Sequence, residues 1–84
     1  MLQLKGIIYD PSLEKFLKKR GLLKQFNKAL DYISEEKFKE VDFKLRHPKS
    51  AGIWYFRINK QYRGLARIKN GILYIFEIDD HSHD

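Results

Sequence analysis

The sequence predicts an α+β fold: an N-terminal strand, a helical hairpin, then an antiparallel β-meander. Three observations carry this expectation. Apolar residues recur at helical spacing between Leu13 and Ile33, and they switch to a period of two from Val41 onward. Gly21 and the Asn70-Gly71 pair punctuate the two regimes. With 84 residues there is room for one domain spanning 1–84, and a composition that is 43% hydrophobic suffices for one small core.

Leu2 to Tyr9 is rich in β-branched and aromatic residues and stops at Asp10-Pro11, which reads as a strand followed by a helix start. Asp10 suits the N-cap, and Pro11 suits the first helical position, where its missing N–H costs nothing. Leu13, Phe16 and Leu17 form one apolar stripe, Lys18, Lys19 and Arg20 fill the last turn, and Gly21 ends the helix. Leu23, Phe26, Leu30 and Ile33 repeat the spacing on a second helix. Residues 34–40 are highly charged and read as a loop or a frayed helix end.

Val41, Phe43 and Leu45 alternate with Asp42, Lys44 and Arg46 as a short strand, and His47 to Gly52 has loop composition. Trp54, Phe56 and Ile58 mark the inward side of the next strand, Tyr62, Gly64, Ala66 and Ile68 that of the one after. Ile72, Tyr74, Phe76 and Ile78 do so for the last. Lys69-Asn70-Gly71 reads as a three-residue hairpin loop with Gly71 at positive φ. That register sets Ala66 against Tyr74 and Gly64 against Phe76 on the helix-facing side, and Leu65 against Ile75 and Arg63 against Glu77 on the other. Trp54 is then a core residue, while Tyr55 is the better candidate for stacking on a base.

The net charge of +6 is unevenly spread. Residues 1–42 hold nine Lys/Arg and seven Asp/Glu, the mixture of a solvated surface. From Phe43 to Phe76 there is no acid, while Lys44, Arg46, Lys49, Arg57, Lys60, Arg63, Arg67 and Lys69 alternate with aromatic residues. Such a face suits a polyanion; the bland reading is a charged face that only confers solubility. The chain has no cysteine, which excludes disulfides and thiolate metal sites and fits a reducing cytoplasm. No apolar run is long enough to span a membrane, and the first ten residues are too polar for a signal peptide. A cytoplasmic protein with no membrane partner is the expectation.

Cleavage of RNA by its own 2′-OH needs a base for that hydroxyl, cations for the phosphorane and an acid for the 5′ oxygen. Arg57 and Arg63 suit the middle task, because a guanidinium stays charged and grips two phosphate oxygens. His81 exchanges protons near neutral pH, with His83 as a second carrier. Glu77 opposite Arg63 would orient the arginine, and Lys44 would act as an electrostatic stabiliser or as a base. Each assignment has a plain alternative. Arg63 and Glu77 can be a structural ion pair, and His81 with His83, Asp79, Asp80 and Asp84 can be a metal site.

Lys44-Leu45-Arg46, then Gly52-Ile53-Trp54-Tyr55-Phe56-Arg57-Ile58, then Gln61-Tyr62-Arg63, a glycine-containing hairpin and a His after the final strand resemble the RelE/ParE superfamily of toxin–antitoxin toxins. The resemblance covers nearly the whole chain through the order and spacing of short motifs. It implies a RelE-like microbial RNase-type fold and the toxin role in a type II toxin–antitoxin system. The implied activity is ribosome-dependent mRNA cleavage by 2′-OH attack, with no metal and no cofactor. The implied partners are mRNA in the ribosomal A site and a cognate acidic antitoxin.

Carried over by position, Arg57 and Arg63 match arginines that hold and polarise the scissile phosphate. Lys44 and Arg46 match a basic pair, with a Glu base at the Lys44 position in YoeB-like members, and His81 matches the C-terminal His. These four, Arg57, Arg63, His81 and Lys44, are the catalytic candidates. Arg46, Lys49, Tyr55, Lys60, Arg67 and Lys69 are the nucleic-acid-binding candidates. Ser82 stands where the family commonly has a Tyr. The alternative is a non-enzymatic binder, either a ParE-like gyrase inhibitor or an RNA- or ribosome-binding homologue.

Overall fold

The computed structural model describes residues 3–80. The chain runs β1 (Gly6–Tyr9), α1 (Ser12–Lys19), α2 (Leu23–Ser34), β2 (Lys44–Leu45), β3 (Trp54–Arg57), β4 (Tyr62–Lys69) and β5 (Ile72–Asp80), with 3₁₀ turns at Phe38–Val41 and Lys49–Ala51. The strands form one sheet in the order β1-β5-β4-β3-β2. β1 lies parallel to β5, and every other pairing is antiparallel. The α+β class and the element order agree with the sequence reading.

Local chemistry explains the helical half. Pro11 has helical backbone angles, and the Asp10 carboxylate accepts the Ser12 N–H at 3.0 Å and its hydroxyl at 2.9 Å. Those two donors hold the Asp10 carboxyl below its ordinary range. At the far end Gly21 has φ +67°, and the N–H groups of Gly21 and Leu22 bond back to the carbonyls of Lys18 and Leu17. A left-handed residue that turns the chain and satisfies two orphan carbonyls suits glycine. α2 closes similarly through Glu36, after which Phe38–Val41 makes a 3₁₀ turn in place of the expected loop. Asp42 then takes left-handed angles, so the expected strand from Val41 shrinks to Lys44–Leu45.

Leu17, Phe26 and Ile33 from the helices and Phe56, Leu73 and Ile75 from the sheet are the largest fully buried side chains of one cluster. The Tyr9 and Phe26 rings meet edge-on at 5.2 Å, and Trp54 stacks on Phe43 at 5.1 Å. Phe56 lies opposite Gly64, and a Cβ at Gly64 would overlap its ring.

The last hairpin differs from the sequence reading. Its turn is the two-residue Asn70-Gly71, with φ +53° and +80°, and Lys69 pairs directly with Ile72. Both turn residues are left-handed, which matches the twist of the strands and which Asn-Gly accepts readily. Leu73 and Ile75 therefore point to the core beside Ile68 and Ala66, whereas Tyr74 and Phe76 are 42% and 40% exposed on the other face. An irregularity between Leu65 and Ala66 then absorbs one residue of β5, since Ala66 pairs with Ile75 and Leu65 with Glu77. Beyond it Ile78 faces Gly64 and packs on the core. The expected Arg63–Glu77 pair is thereby displaced: Arg63 stands opposite Asp79, and Glu77 opposite Leu65.

Candidate nucleic-acid interface

Register aligns the open face of the sheet in rows. Lys44 on β2, Tyr55 on β3, Leu65 on β4 and Glu77 on β5 are successive partners across four strands. The next row is Arg57, Arg63 and Asp79. A cleft of about 480 Å³ opens over the first row, lined by Lys44, Leu45, Arg46, His47, Tyr55, Arg63 and Leu65. Leu65 is buried yet stands apart from the main core, which fits a residue flooring a cleft on the opposite side.

Contacts of the Lys44 and Arg63 side chains and of the Arg46 backbone organise this cleft. The Lys44 ammonium lies 5.6 Å from the Tyr55 ring centroid, within the range of cation–π attraction. The Arg46 N–H donates to the Ile53 carbonyl at 2.7 Å, which pins the chain as it leaves β2. Arg63 Nη1 donates to the carbonyls of Asn59 at 2.7 Å and Tyr62 at 3.3 Å. That acceptor turn is itself closed by Asn59 Oδ1, which takes the N–H groups of Gln61 and Tyr62, each at 2.8 Å. Arg63 thus reaches the cleft half-buried from a braced turn, and a guanidinium with five donors keeps others for a ligand.

Arg57 behaves differently. Its Nη2 donates to the Asp42 carboxylate at 2.9 Å, and it lines a separate groove with Lys28 and Tyr32 of α2. Arg67 donates to the Ala51 carbonyl at 2.7 Å and lies 5.6 Å from the Phe76 ring, so it clasps the loop before β3 outside the cleft. Lys49, Lys60 and Lys69 are exposed in the 3₁₀ turn, the β3–β4 connection and the end of β4. Glu77 is exposed, and among the described residues it forms no ion pair. His81 and His83 lie outside the described residues.

Of the candidate residues, the cleft therefore gathers Lys44, Arg46, Tyr55 and Arg63. It adds His47, which the sequence reading assigned to a plain loop; the signal was its place directly after Lys44-Leu45-Arg46. Among the described residues lining this cleft there is no carboxylate, so its three cations lie beside the apolar surface of Tyr55 and Leu65, with Glu77 and Asp79 on the adjoining strand β5. No described helix is long and apolar enough to cross a membrane.

The same fold occurs in a solved structure, the archaeal RelE–RelB complex from Pyrococcus horikoshii OT3. The match covers 100% of both chains with a TM-score of 0.72 and 13% identity. The chain thus shares its fold with a chain of that complex. No family model matches the sequence, and no curated protein matches it.

Proposed function

We propose that this protein is the toxin of a type II toxin–antitoxin system and a ribosome-dependent mRNA endonuclease that works by 2′-OH attack without a metal. The observation that carries the reading is the cleft where Lys44, Arg46 and Arg63 converge beside Tyr55. Arg63, braced by its turn, is the residue for charge developing on the phosphorane. Lys44 and Arg46 hold flanking phosphates, Tyr55 stacks on a base, and Lys49, Lys60, Arg67 and Lys69 extend the field for the polyanion. His81 protonates the departing 5′ oxygen. The likeness to a chain of a RelE–RelB complex supports an antitoxin partner, an acidic one given the +6 charge of this chain.

Induced expression with primer extension on cellular mRNA tests the proposal. The expected result is growth arrest and new mRNA 5′ ends that appear only while ribosomes translate, both relieved by co-expression of the acidic partner. Equal cleavage of naked RNA would remove ribosome dependence. Arrest with intact mRNA and damaged DNA would replace the nuclease with a gyrase inhibitor.

A further inference from the structure

The cleft holds phosphate-binding charge, but its described cationic lining cannot easily accept a proton. Lys44, Arg46 and Arg63 are cationic side chains, Tyr55 carries a phenolic hydroxyl, and Leu45 and Leu65 are inert. The remaining residue of the lining is His47, which carries an imidazole. Imidazole is the side chain that readily gives and takes protons between pH 5 and 8.

His47 is also well placed to be dedicated to a ligand. The preceding residue is tied down by the Arg46 N–H to the Ile53 carbonyl at 2.7 Å. The turn that follows is closed by the Ala51 N–H to the Pro48 carbonyl at 3.0 Å. The backbone is fixed on both sides of an exposed ring, and among the described residues that ring has no hydrogen-bond or ion-pair partner. Among the described residues His47 belongs to no core cluster and to no ion pair.

We propose that His47 is the general base of the cleft. This rests on the reading of the protein as a 2′-OH-dependent endonuclease. A ring nitrogen takes the proton of the 2′-OH as that oxygen bonds to phosphorus. The P–O5′ bond breaks, a separate donor protonates the 5′ oxygen, and the products are a 2′,3′-cyclic phosphate and a 5′-OH end. His47 then returns its proton to water. No oxidant, metal or co-reactant enters this balance.

The test compares wild type, His47→Gln and His47→Asn on programmed ribosomes across pH, with a normal mRNA and one carrying a 5′-bridging sulfur at the scissile linkage. Sulfur leaves without an acid, so it rescues loss of the acid and does not rescue loss of the base. The expected result is a fall in cleavage of about 10²–10⁴-fold, the usual worth of a positioned proton-transfer group. The acidic limb of the pH–rate profile should vanish, the sulfur substrate should give no rescue, and ribosome affinity and thermal midpoint should stay close to wild type. Unchanged rate and profile would overturn the assignment, and rescue by sulfur would make His47 the acid instead. Absence of cleavage by wild type itself would bring down the nuclease reading along with it.

Discussion

Arg57 and Arg63 stand directly opposite one another on β3 and β4, and their guanidinium groups part company. Arg63 enters the cleft against the Asn59 carbonyl at 2.7 Å, while Arg57 turns to the Asp42 carboxylate at 2.9 Å. The cause is local. Asp42 closes the preceding 3₁₀ turn in a left-handed conformation with its carboxylate within reach of the β3 end. Two arginines of equal standing in the sequence thereby become unequal in the fold.

Asp42→Asn should release Arg57 to the polyanion. The pair is about half exposed, so the loss of stability is small, about 0–1 kcal/mol. Binding to ribosomes or RNA should tighten and gain a steeper salt dependence. Salt-titrated binding assays check this; an unchanged salt slope would mean that Arg57 does not reach the ligand even when free.

Arg63→Ala should lower cleavage far more than affinity, because a braced cation contributes most when charge builds on the reacting phosphate. Lys69→Ala, at the end of β4, should weaken binding and reduce its salt slope with little change in the cleavage step. Single-turnover kinetics beside equilibrium binding separates the two. Equal effects of both changes on both quantities would dissolve the distinction.

Gly64→Ala should be among the costly single-methyl additions. The new Cβ would overlap the Phe56 ring, itself fully buried between sheet and helices. Overpacking of this kind costs about 1–3 kcal/mol. Urea denaturation of the variant should show it, and Gly64→Ala combined with Phe56→Leu should recover part of the loss.

Asp10 sets a pH dependence at the start of α1. Its folded pKa lies below the ordinary 3.8, chiefly through the Ser12 N–H and then the Ser12 hydroxyl. A depressed carboxyl stabilises the fold above its unfolded pKa, and the contribution fades as pH falls through the folded one. The stability gap between wild type and Asp10→Ala should therefore be constant at neutral pH and narrow on acidification below about 4. Denaturation curves across pH 2–7 measure it; a gap that widens in acid would contradict the capping role.

Much of this molecule was legible in its residues, for physical reasons that also mark where legibility stops. Helical stripes such as Leu13 and Leu17, the Gly21 reversal and the alternation of Trp54 and Phe56 with Tyr55 and Arg57 each depend on near neighbours. The β4–β5 register did not follow from alternation. Its two-residue turn puts Leu73 and Ile75 inward, and one extra residue near Phe76 returns Ile78 to the core, so no single period describes the strand. Lys44, Arg46, Tyr55 and Arg63, candidates by charge and spacing, do line one cleft. The withdrawal of Arg57 toward Asp42 and the presence of His47 in the cleft depend on backbone turns at residues 42 and 48–51, which leave little trace in composition.

The order of strands has a consequence for synthesis on the ribosome. β1 emerges first, yet its strand neighbour is β5, residues 72–80, and β5 also supplies Leu73 and Ile75 to the core. Until those residues clear the exit tunnel, the helical hairpin and β2–β4 face a gap where β5, the strand between β1 and β4, belongs. The nascent chain holds an unsealed sheet, with β1 waiting for a partner more than sixty positions downstream. Closure is then a single late event that joins the earliest and latest parts of the fold, so growth of the chain times the appearance of the finished surface.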